Sequence, residues 1–456
     1  MKRFQKNMLQ GPLLPNLIVY AIPIMLTSLL QLLFNAADLV VVGQFRGSVS
    51  LAAVGATGAI TNLIVNLFVG LSVGVGVVVA HGIGGHKDEQ VHRAVHTALP
   101  TAILGGIALT VIGAIFSEQL LLWMDTPADV LPLSALYMRI YFCGMTFNMV
   151  YNFCASILRA AGDTKSPLIF LSIAGVLNVL LNLFFVIVLG MNVEGVALAT
   201  ITAQGLSAVL VVLALMRRTD SCKLNLRKIR IYKPEFSRIV RIGLPAGIQG
   251  SLFSISNVII QSSVNSFGEI VMSGNAAAGN IEGFVYVTMN AFHQTCVNFV
   301  GQNVGARQYK RVFKTFWLCL LCVAVVGVAI CSVSYAFGTQ LLGIYISDSP
   351  ESIQYGMTRF GFVLATYFIC GLMDVGTGAL RGMGASFLSM LISVLGICVF
   401  RVGWNWTIFQ IPEFHTLECL YISYPISWML TFIFQALAFI LVFRKHTKAD
   451  HLPVHA

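Results

Sequence analysis

The sequence predicts an all-α polytopic membrane protein with twelve transmembrane helices in two pseudo-symmetric six-helix lobes. The chain of 456 residues is 57% hydrophobic and only 10% charged, whereas soluble proteins carry about 25% charged residues. Apolar stretches of about 20 residues, the length that crosses a bilayer, recur along the whole chain. The second half of the chain also repeats sequence markers of the first half. A water-soluble fold could not cover this much apolar surface with polar groups.

Twelve apolar stretches are long enough to cross the hydrocarbon core, and some are long enough to tilt. The first stretch is longer than the apolar region of a signal peptide and lacks a convincing small-residue cleavage site, so we interpret it as the first span. The predicted spans are 16–43, 50–80, 94–116, 133–157, 167–189, 195–216, 240–265, 271–301, 314–336, 355–380, 387–404 and 420–443.

The distribution of basic residues predicts the orientation of these spans. All lysines and arginines except Arg46, Arg139, Arg359 and Arg401 fall in the terminal segments or in the loops on the same side as the N-terminus. Basic residues concentrate in cytoplasmic loops of membrane proteins, so both termini are predicted to be cytoplasmic. The net charge of +10 therefore reflects topology, and we expect no nucleic-acid partner. The short tails favour a plasma (inner) membrane.

The chain contains an internal duplication with a constant offset. Pro23 and Pro245, like Arg159 and Arg381, lie 222 residues apart in similar segments. Six spans per half is an even number, so both halves enter the membrane from the same side, as parallel repeats. The predicted parts are an N-terminal lobe (1–216), a basic cytoplasmic linker (217–239) and a C-terminal lobe (240–456).

Three of the 18 acidic residues lie inside predicted spans: Asp38, Glu282 and Asp374. An intramembrane carboxylate costs at least about 2.5–3.5 kcal/mol and is therefore a candidate functional group. Hydrogen bonds that hold helices together are worth only about 0.6 kcal/mol each and do not require a charge. We therefore expect these acids to serve function.

Other polar residues share helical faces with these acids, because residues three or four apart lie on one side of a helix. Gln31 and Asn35 precede Asp38 at such spacings, and Asn178 and Asn182 are one turn apart in the fifth span. The predicted residues of a substrate cavity are Gln31, Asn35, Tyr286, Asn290 and Gln294.

Several segments resemble the multidrug and toxic compound extrusion (MATE) family of transporters, among them IPIMLTSLLQLLFNAADLVVVGQF, LRAAGDTKSP and GALRGMGAS. The resemblance implies two lobes of six helices around a central cavity. It also implies export of cationic, often aromatic, drugs or metabolites, driven by inward H⁺ or Na⁺.

The resemblance also implies roles for individual residues. Asp38 matches the family's ion-coupling acid in helix 1, and Asn178 and Thr200 match its polar partners. Asn182 stands where many members carry a second aspartate. Some sodium-coupled members carry a glutamate in helix 7, and near the equivalent position this chain has Phe253.

These departures favour H⁺ over Na⁺, although Na⁺ at Asp38 or Glu282 stays open. Glu282 is a possible substitute for the missing helix-7 acid, and Asp374 lies near the acid of helix 10. The candidate ion-coupling residues are Asp38, Asn178, Asn182, Thr200, Glu282 and Asp374.

The resulting hypothesis is a monomeric antiporter that exports organic cations or drugs by alternating access of a cavity between two lobes. A lipid-linked oligosaccharide flippase of related architecture would need a more basic cavity, and few basic residues lie inside the predicted spans. A membrane-embedded enzyme would need clustered nucleophiles, bases or metal ligands, which are not apparent in the sequence. We therefore expect no enzyme activity, cofactor or metal centre.

Overall fold

A computed structural model describes residues 7–124, 126–346 and 349–451, and over these residues the protein is helical without β-strands. The extreme ends of the chain, which the charge pattern places in the cytoplasm, lie outside the described residues. The helices of the first half are α1 (Leu13–Arg46), α2 (Ser48–Gly84), α3 (Asp88–Trp123), α4 (Leu131–Cys143), α5 (Met145–Ala160), α6 (Lys165–Leu183) and α7 (Val193–Met216).

The second half begins after a short 3₁₀ helix (Leu226–Lys228). Its helices are α8 (Lys233–Asn265), α9 (Glu269–Gly305), α10 (Tyr309–Ala336), α11 (Gly338–Tyr345), α12 (Pro350–Arg359), α13 (Tyr367–Gly382), α14 (Ser386–Ser393), α15 (Phe400–Trp406) and α16 (Leu417–His451). Short 3₁₀ helices at Ile408–Gln410 and Pro412–Phe414 connect α15 to α16. Three π-helical segments extend α6 (Phe184–Val188), extend α12 (Phe360–Leu364) and join α14 to α15 (Val394–Val399).

Within the described residues, nine helices are long and apolar enough to cross a membrane, and α12 with α13 forms a tenth span bent by 41°. The paired helices α4–α5 and the long helix α9 complete the twelve predicted segments. The predicted fold class is confirmed. A break at Gly144 divides the fourth segment, and a Cβ atom there would lie 2.6 Å from the Ile201 side chain of α7.

The duplication is visible in the backbone. Left-handed residues, which favour glycine, recur at matching positions just before or just after corresponding helices. The pairs are Gly47 and Gly268, His86 and Arg307, and Gly162 and Gly384, each 221 or 222 residues apart. Residues with a left-handed backbone therefore occur at equivalent positions in both halves.

The chain divides into two compact units, and helices α1 and α8 are each split between them. The first unit holds Leu26–Ser251, and the second holds Met8–Met25 together with the chain from Leu252 onward. The boundaries predicted from the sequence, with lobes at 1–216 and 240–456 and a linker at 217–239, stay predictions.

The crossing of α2 and α8 lies inside the first unit and depends on small residues. A Cβ atom on Gly70 would lie 2.2 Å from the backbone nitrogen of Gly247, and one on Gly74 would lie 2.2 Å from the carbonyl oxygen of Ile239. Only glycine allows the two backbones to approach this closely, which is how small residues favour helix association in membranes.

The first turns of α1 pack on α9 within the second unit. The rings of Tyr20 and Phe299 meet edge to face, with centroids 5.3 Å apart. The Asn303 amide nitrogen donates to the carbonyl oxygen of Met8 at 3.3 Å. The start of the chain is thereby attached to the second half of the protein.

Candidate functional site

Asp38 lies buried among three helices of the first unit, with 7% of its surface exposed. The amide nitrogen of Asn182 on α6 donates to Asp38 Oδ1 at 2.5 Å, and the Thr200 hydroxyl on α7 lies 3.2 Å from Oδ2. None of the ion pairs of the described residues includes Asp38. The carboxyl group is therefore held by neutral donors alone.

A second layer of hydrogen bonds orients these partners. Asn178 donates to the Thr200 hydroxyl at 3.3 Å, and Asn182 also lies 3.3 Å from the carbonyl oxygen of the Asn178 amide. Thr200 reaches the backbone oxygen of Val196 at 3.0 Å. A hydroxyl carries one hydrogen, so Thr200 donates either to Asp38 or to Val196, but not to both at once.

The geometry of α6 changes directly after Asn182, where the helix widens into the π-helical segment Phe184–Val188. Such π-bulges occur frequently at functional sites. The Arg46 guanidinium donates to the carbonyl oxygen of Val186, within this segment, at 2.5 Å. The π-helical segment begins two residues beyond the side chain that contacts Asp38.

Close packing of α1 on α6 sets the distance across the Asp38 cluster. A Cβ atom on Gly175 would lie 1.7 Å from the Phe34 ring. Only glycine leaves room for this ring, and Phe34 stands one helical turn before Asp38.

Two tyrosines beside Asp38 were missed in the sequence. The rings of Tyr137 and Tyr141 on α4 stack with centroids 5.9 Å apart. Both phenol groups lie close enough to Asp38 to interact with its charge. Their spacing of four residues is the only local signal, and it is equally typical of helix packing.

Glu282, the candidate acid on α9, forms a buried ion pair with Arg359 on α12. The guanidinium Nε and Nη2 atoms donate to the two carboxylate oxygens at 2.8 and 2.6 Å. Arg359 Nη1 also donates to the Asn275 side-chain oxygen at 2.6 Å, which accepts from the Tyr421 hydroxyl at 3.1 Å as well. Glu282 is therefore part of a neutral, fully hydrogen-bonded pair.

Arg359 is one of the four basic residues that the charge pattern left outside the inner loops and tails. Its side chain is buried, and its fork occupies both oxygens of Glu282. A sodium ion at Glu282 would have to displace the guanidinium group, so this arrangement does not support a Na⁺ site there.

Asp374 on α13 is buried, and its Oδ2 atom has no hydrogen-bond partner among the described residues. Arg381 and Tyr286 lie close enough to the Asp374 carboxyl group to interact with its charge. His293 Nδ1 donates to the backbone oxygen of Asp374 at 2.6 Å. The third predicted acid thus belongs to a second polar group of the second unit, separate from the Glu282 pair.

Three of the predicted cavity residues are linked by hydrogen bonds along α9. Asn290 donates to the Tyr286 hydroxyl at 3.4 Å, and Gln294 donates to Asn290 at 2.9 Å. Gln31 and Asn35 are exposed on α1 in the first unit. Their roles, like those of the acids, stay predictions.

No group of three or more His, Cys, Asp or Glu side chains that could hold a metal ion occurs in the part of the chain that the structure describes.

The long apolar helices define a multi-pass membrane protein. The family model MatE matches residues 23–184 and 245–407, most of both halves. The chain therefore belongs to the MATE family, whose members are transporters of small drug substrates with ion coupling and not enzymes.

Individual relatives agree with this assignment. The chain is 28% identical over 396 residues to the probable multidrug resistance protein YpnP of Bacillus subtilis, covering 86% of this chain and 87% of that protein. It is 20% identical over 392 residues to the multidrug export protein MepA of Staphylococcus aureus, covering 84% and 85%. A structure of a multidrug resistance MATE transporter in its outward-facing conformation superposes with a TM-score of 0.89 at 21% identity, covering 97% and 98%.

Proposed function

We propose that this protein is a secondary active antiporter that exports organic cations or amphipathic drugs in exchange for H⁺ by alternating access. Asp38 is the coupling residue in this proposal. The observation that carries it is a buried carboxyl group in the membrane-crossing part of α1 with neutral hydrogen-bond donors and no cationic partner among the described residues.

A buried carboxylate without a counter-charge is costly in a medium of low dielectric constant. Either a proton or a bound organic cation removes that cost. The two therefore compete for the same group, which is the requirement for exchange. A neutral side chain at this position could not make that distinction.

The Thr200 hydroxyl supplies a way for the cluster to respond to protonation. With Asp38 ionised, Thr200 donates its hydrogen to the carboxylate. Once Asp38 carries a proton, the Thr200 hydroxyl donates its own hydrogen to the Val196 carbonyl oxygen. The Thr200 oxygen then accepts a hydrogen bond from the protonated Asp38. One proton thus changes the hydrogen bonds between α1 and α7 without removing any of them.

The orientation of Asn182 supports H⁺ as the coupling ion. Its amide nitrogen faces both Asp38 and Asn178, while its carbonyl oxygen has no hydrogen-bond partner among the described residues. Hard cations bind through oxygen ligands. A sodium site would require this amide to rotate, whereas a proton does not.

Glu282 and Asp374 take secondary roles. The Glu282–Arg359 pair connects α9 with α12, and Asp374 remains a candidate second ion-coupling residue. The protein acts as a monomer in the plasma membrane with both termini cytoplasmic, consistent with its basic loops. Exchange of one proton for one singly charged cation moves no net charge, so the proton concentration gradient drives it, and a tenfold proton ratio, worth about 1.4 kcal/mol, sustains a tenfold cation ratio.

The experiment is ethidium efflux from cells that lack other exporters, with the wild type and Asp38→Asn expressed to equal levels. We expect efflux that an uncoupler abolishes, that sodium removal leaves unchanged, and that Asp38→Asn lacks. Asp88→Asn, which removes an exposed charge at the start of α3, is the matched control and should export normally. Dye export by Asp38→Asn at the wild-type rate would remove Asp38 from the mechanism.

A further inference from the structure

The second unit carries more buried positive charge than negative charge. Its buried charged residues in the described chain are Glu282, Asp374, Arg359, Arg381 and Arg401. Arg359 forms a hydrogen-bonded ion pair with Glu282. Arg381 lies close enough to Asp374 for their charges to interact. One arginine, Arg401, is left over.

Arg401 lies on α15 with only 4% of its surface exposed. Its Nε atom donates to the Ser427 hydroxyl at 2.8 Å, but its Nη2 atom is buried without a hydrogen-bond partner in the described part of the chain. None of the ion pairs of the described residues includes Arg401. The guanidinium group therefore has an unused donor and an uncompensated charge.

Two aromatic rings of α16 lie beside this group. The guanidinium carbon lies 4.0 Å from the centre of the Tyr424 ring and 5.4 Å from that of Trp428. Arg359 approaches the same Tyr424 ring at 5.6 Å. Cation–π contacts offset part of the cost of burying Arg401, but they leave Nη2 unbonded and the net charge unchanged.

An arginine fork with a free donor matches an anionic oxygen group, such as a carboxylate or a sulfonate. Two aromatic rings beside the fork match the flat ring system of an aromatic solute. An inorganic anion would use the fork but would gain nothing from the rings.

We propose that Arg401, together with Tyr424 and Trp428, forms a binding site for the anionic oxygen group of an aromatic substrate. The inference rests on the proposed export function and extends it to zwitterionic and anionic aromatic solutes. Because Arg401 is buried, one of the two aromatic side chains moves aside when the ligand enters.

The test compares two rhodamine dyes that differ in one group, a free carboxylate in one and its methyl ester in the other. Binding to the purified full-length protein is measured by fluorescence polarisation. We expect Arg401→Gln to weaken binding of the carboxylate dye by about tenfold to 100-fold, as for a lost hydrogen bond to a charged group. Binding of the ester should change less than twofold.

Two variants separate the site from general damage. Arg401→Lys keeps the charge and should retain part of the preference for the carboxylate dye, while Arg241→Gln removes an exposed arginine and should change neither dye. Equal weakening of both dyes in Arg401→Gln would overturn the proposal. So would equal binding of both dyes to the wild type.

An inorganic anion is tested in the same assay by replacing chloride with gluconate. If the carboxylate and chloride compete for Arg401, removal of chloride strengthens binding of the carboxylate dye and leaves that of the ester unchanged, whereas an equal change for both dyes would overturn the proposal. The antiport function is tested separately by export of the ester dye, which should depend on Asp38 but not on Arg401. The difference in binding between the carboxylate dye and the ester tests the Arg401 site alone.

Discussion

The amide nitrogen of Asn182 lies 2.5 Å from a carboxylate oxygen of Asp38, joining α6 to α1 across 144 residues of sequence. The same amide continues to Asn178, which in turn reaches Thr200 on α7. Three helices of one unit therefore meet at a single ionisable group. A change in its protonation alters the hydrogen bonds of all three helices, and this relationship is the basis of the proposed coupling.

Replacing Asn182 with leucine should destabilise the Asp38 cluster. The substitution keeps the branching and the number of side-chain heavy atoms but leaves a buried carboxylate without its shortest hydrogen bond, at a cost of about 1–3 kcal/mol. We expect a lower unfolding temperature in detergent at neutral pH, together with slower dye export. Asn182→Leu in an Asp38→Asn background is the control, since the charge is then absent and the loss of stability should shrink.

The Glu282–Arg359 pair should behave as one unit in a double-mutant cycle. Glu282→Gln or Arg359→Met alone leaves a buried charge without its partner, which costs about 3–5 kcal/mol. The double variant removes both charges and should regain most of the lost thermal stability. Strictly additive losses in the two single variants and the double variant would show that the pair is not coupled.

Side chains at Gly247 should separate α2 from α8. A Cβ atom there would lie 2.1 Å from the backbone oxygen of Leu67, so Gly247→Val forces the helix backbones apart. We expect reduced yield of folded protein in size-exclusion chromatography. Gly58→Ala is the matched control, because nothing lies within 4 Å of its Cβ position and alanine favours a helix over glycine by up to about 1 kcal/mol.

The thiol of Cys222 in the linker should resist alkylation. Burial, and to a smaller extent the charge of Asp220, raises the pKa of Cys222 to about 12. The thiolate is the reactive form, so at about pH 8 almost none is present, whereas an ordinary thiol with a pKa of about 8.5 reacts readily. Mass spectrometry after maleimide treatment should find Cys222 unmodified in the folded protein.

The neighbouring position provides the control for this labelling. Lys223 is exposed, and Lys223→Cys should label rapidly at the same pH. Labelling of Cys222 at a comparable rate would mean that this part of the linker does not stay packed.

The sequence predicted the span positions and the face that carries Asp38, because hydropathy and helical spacing are local properties. The predicted stretch 16–43 lies within α1, and Asp38, Asn182 and Thr200 do meet. The break at Gly144 was not predicted, since apolar residues flank it on both sides.

The environment of the charged residues depended on contacts that no local pattern reports. Arg359 stands at the outer end of a hydropathy window, yet its partner Glu282 lies 77 residues earlier in the chain. Arg401 is similar, since its burial against Tyr424 requires α15 and α16 to be adjacent. The charge pattern left both arginines outside the inner loops and tails, but it could not report that their side chains are buried.

Proton movement driven by substrate, measured in liposomes that contain the purified protein and a trapped pH-sensitive dye, tests the central claim most directly. Addition of an organic cation to the wild type should move protons in the opposite direction, without a requirement for sodium. Asp38→Asn should show no such movement while keeping the unfolding temperature of a folded protein. Cation-driven proton movement in Asp38→Asn at the wild-type rate would contradict the account.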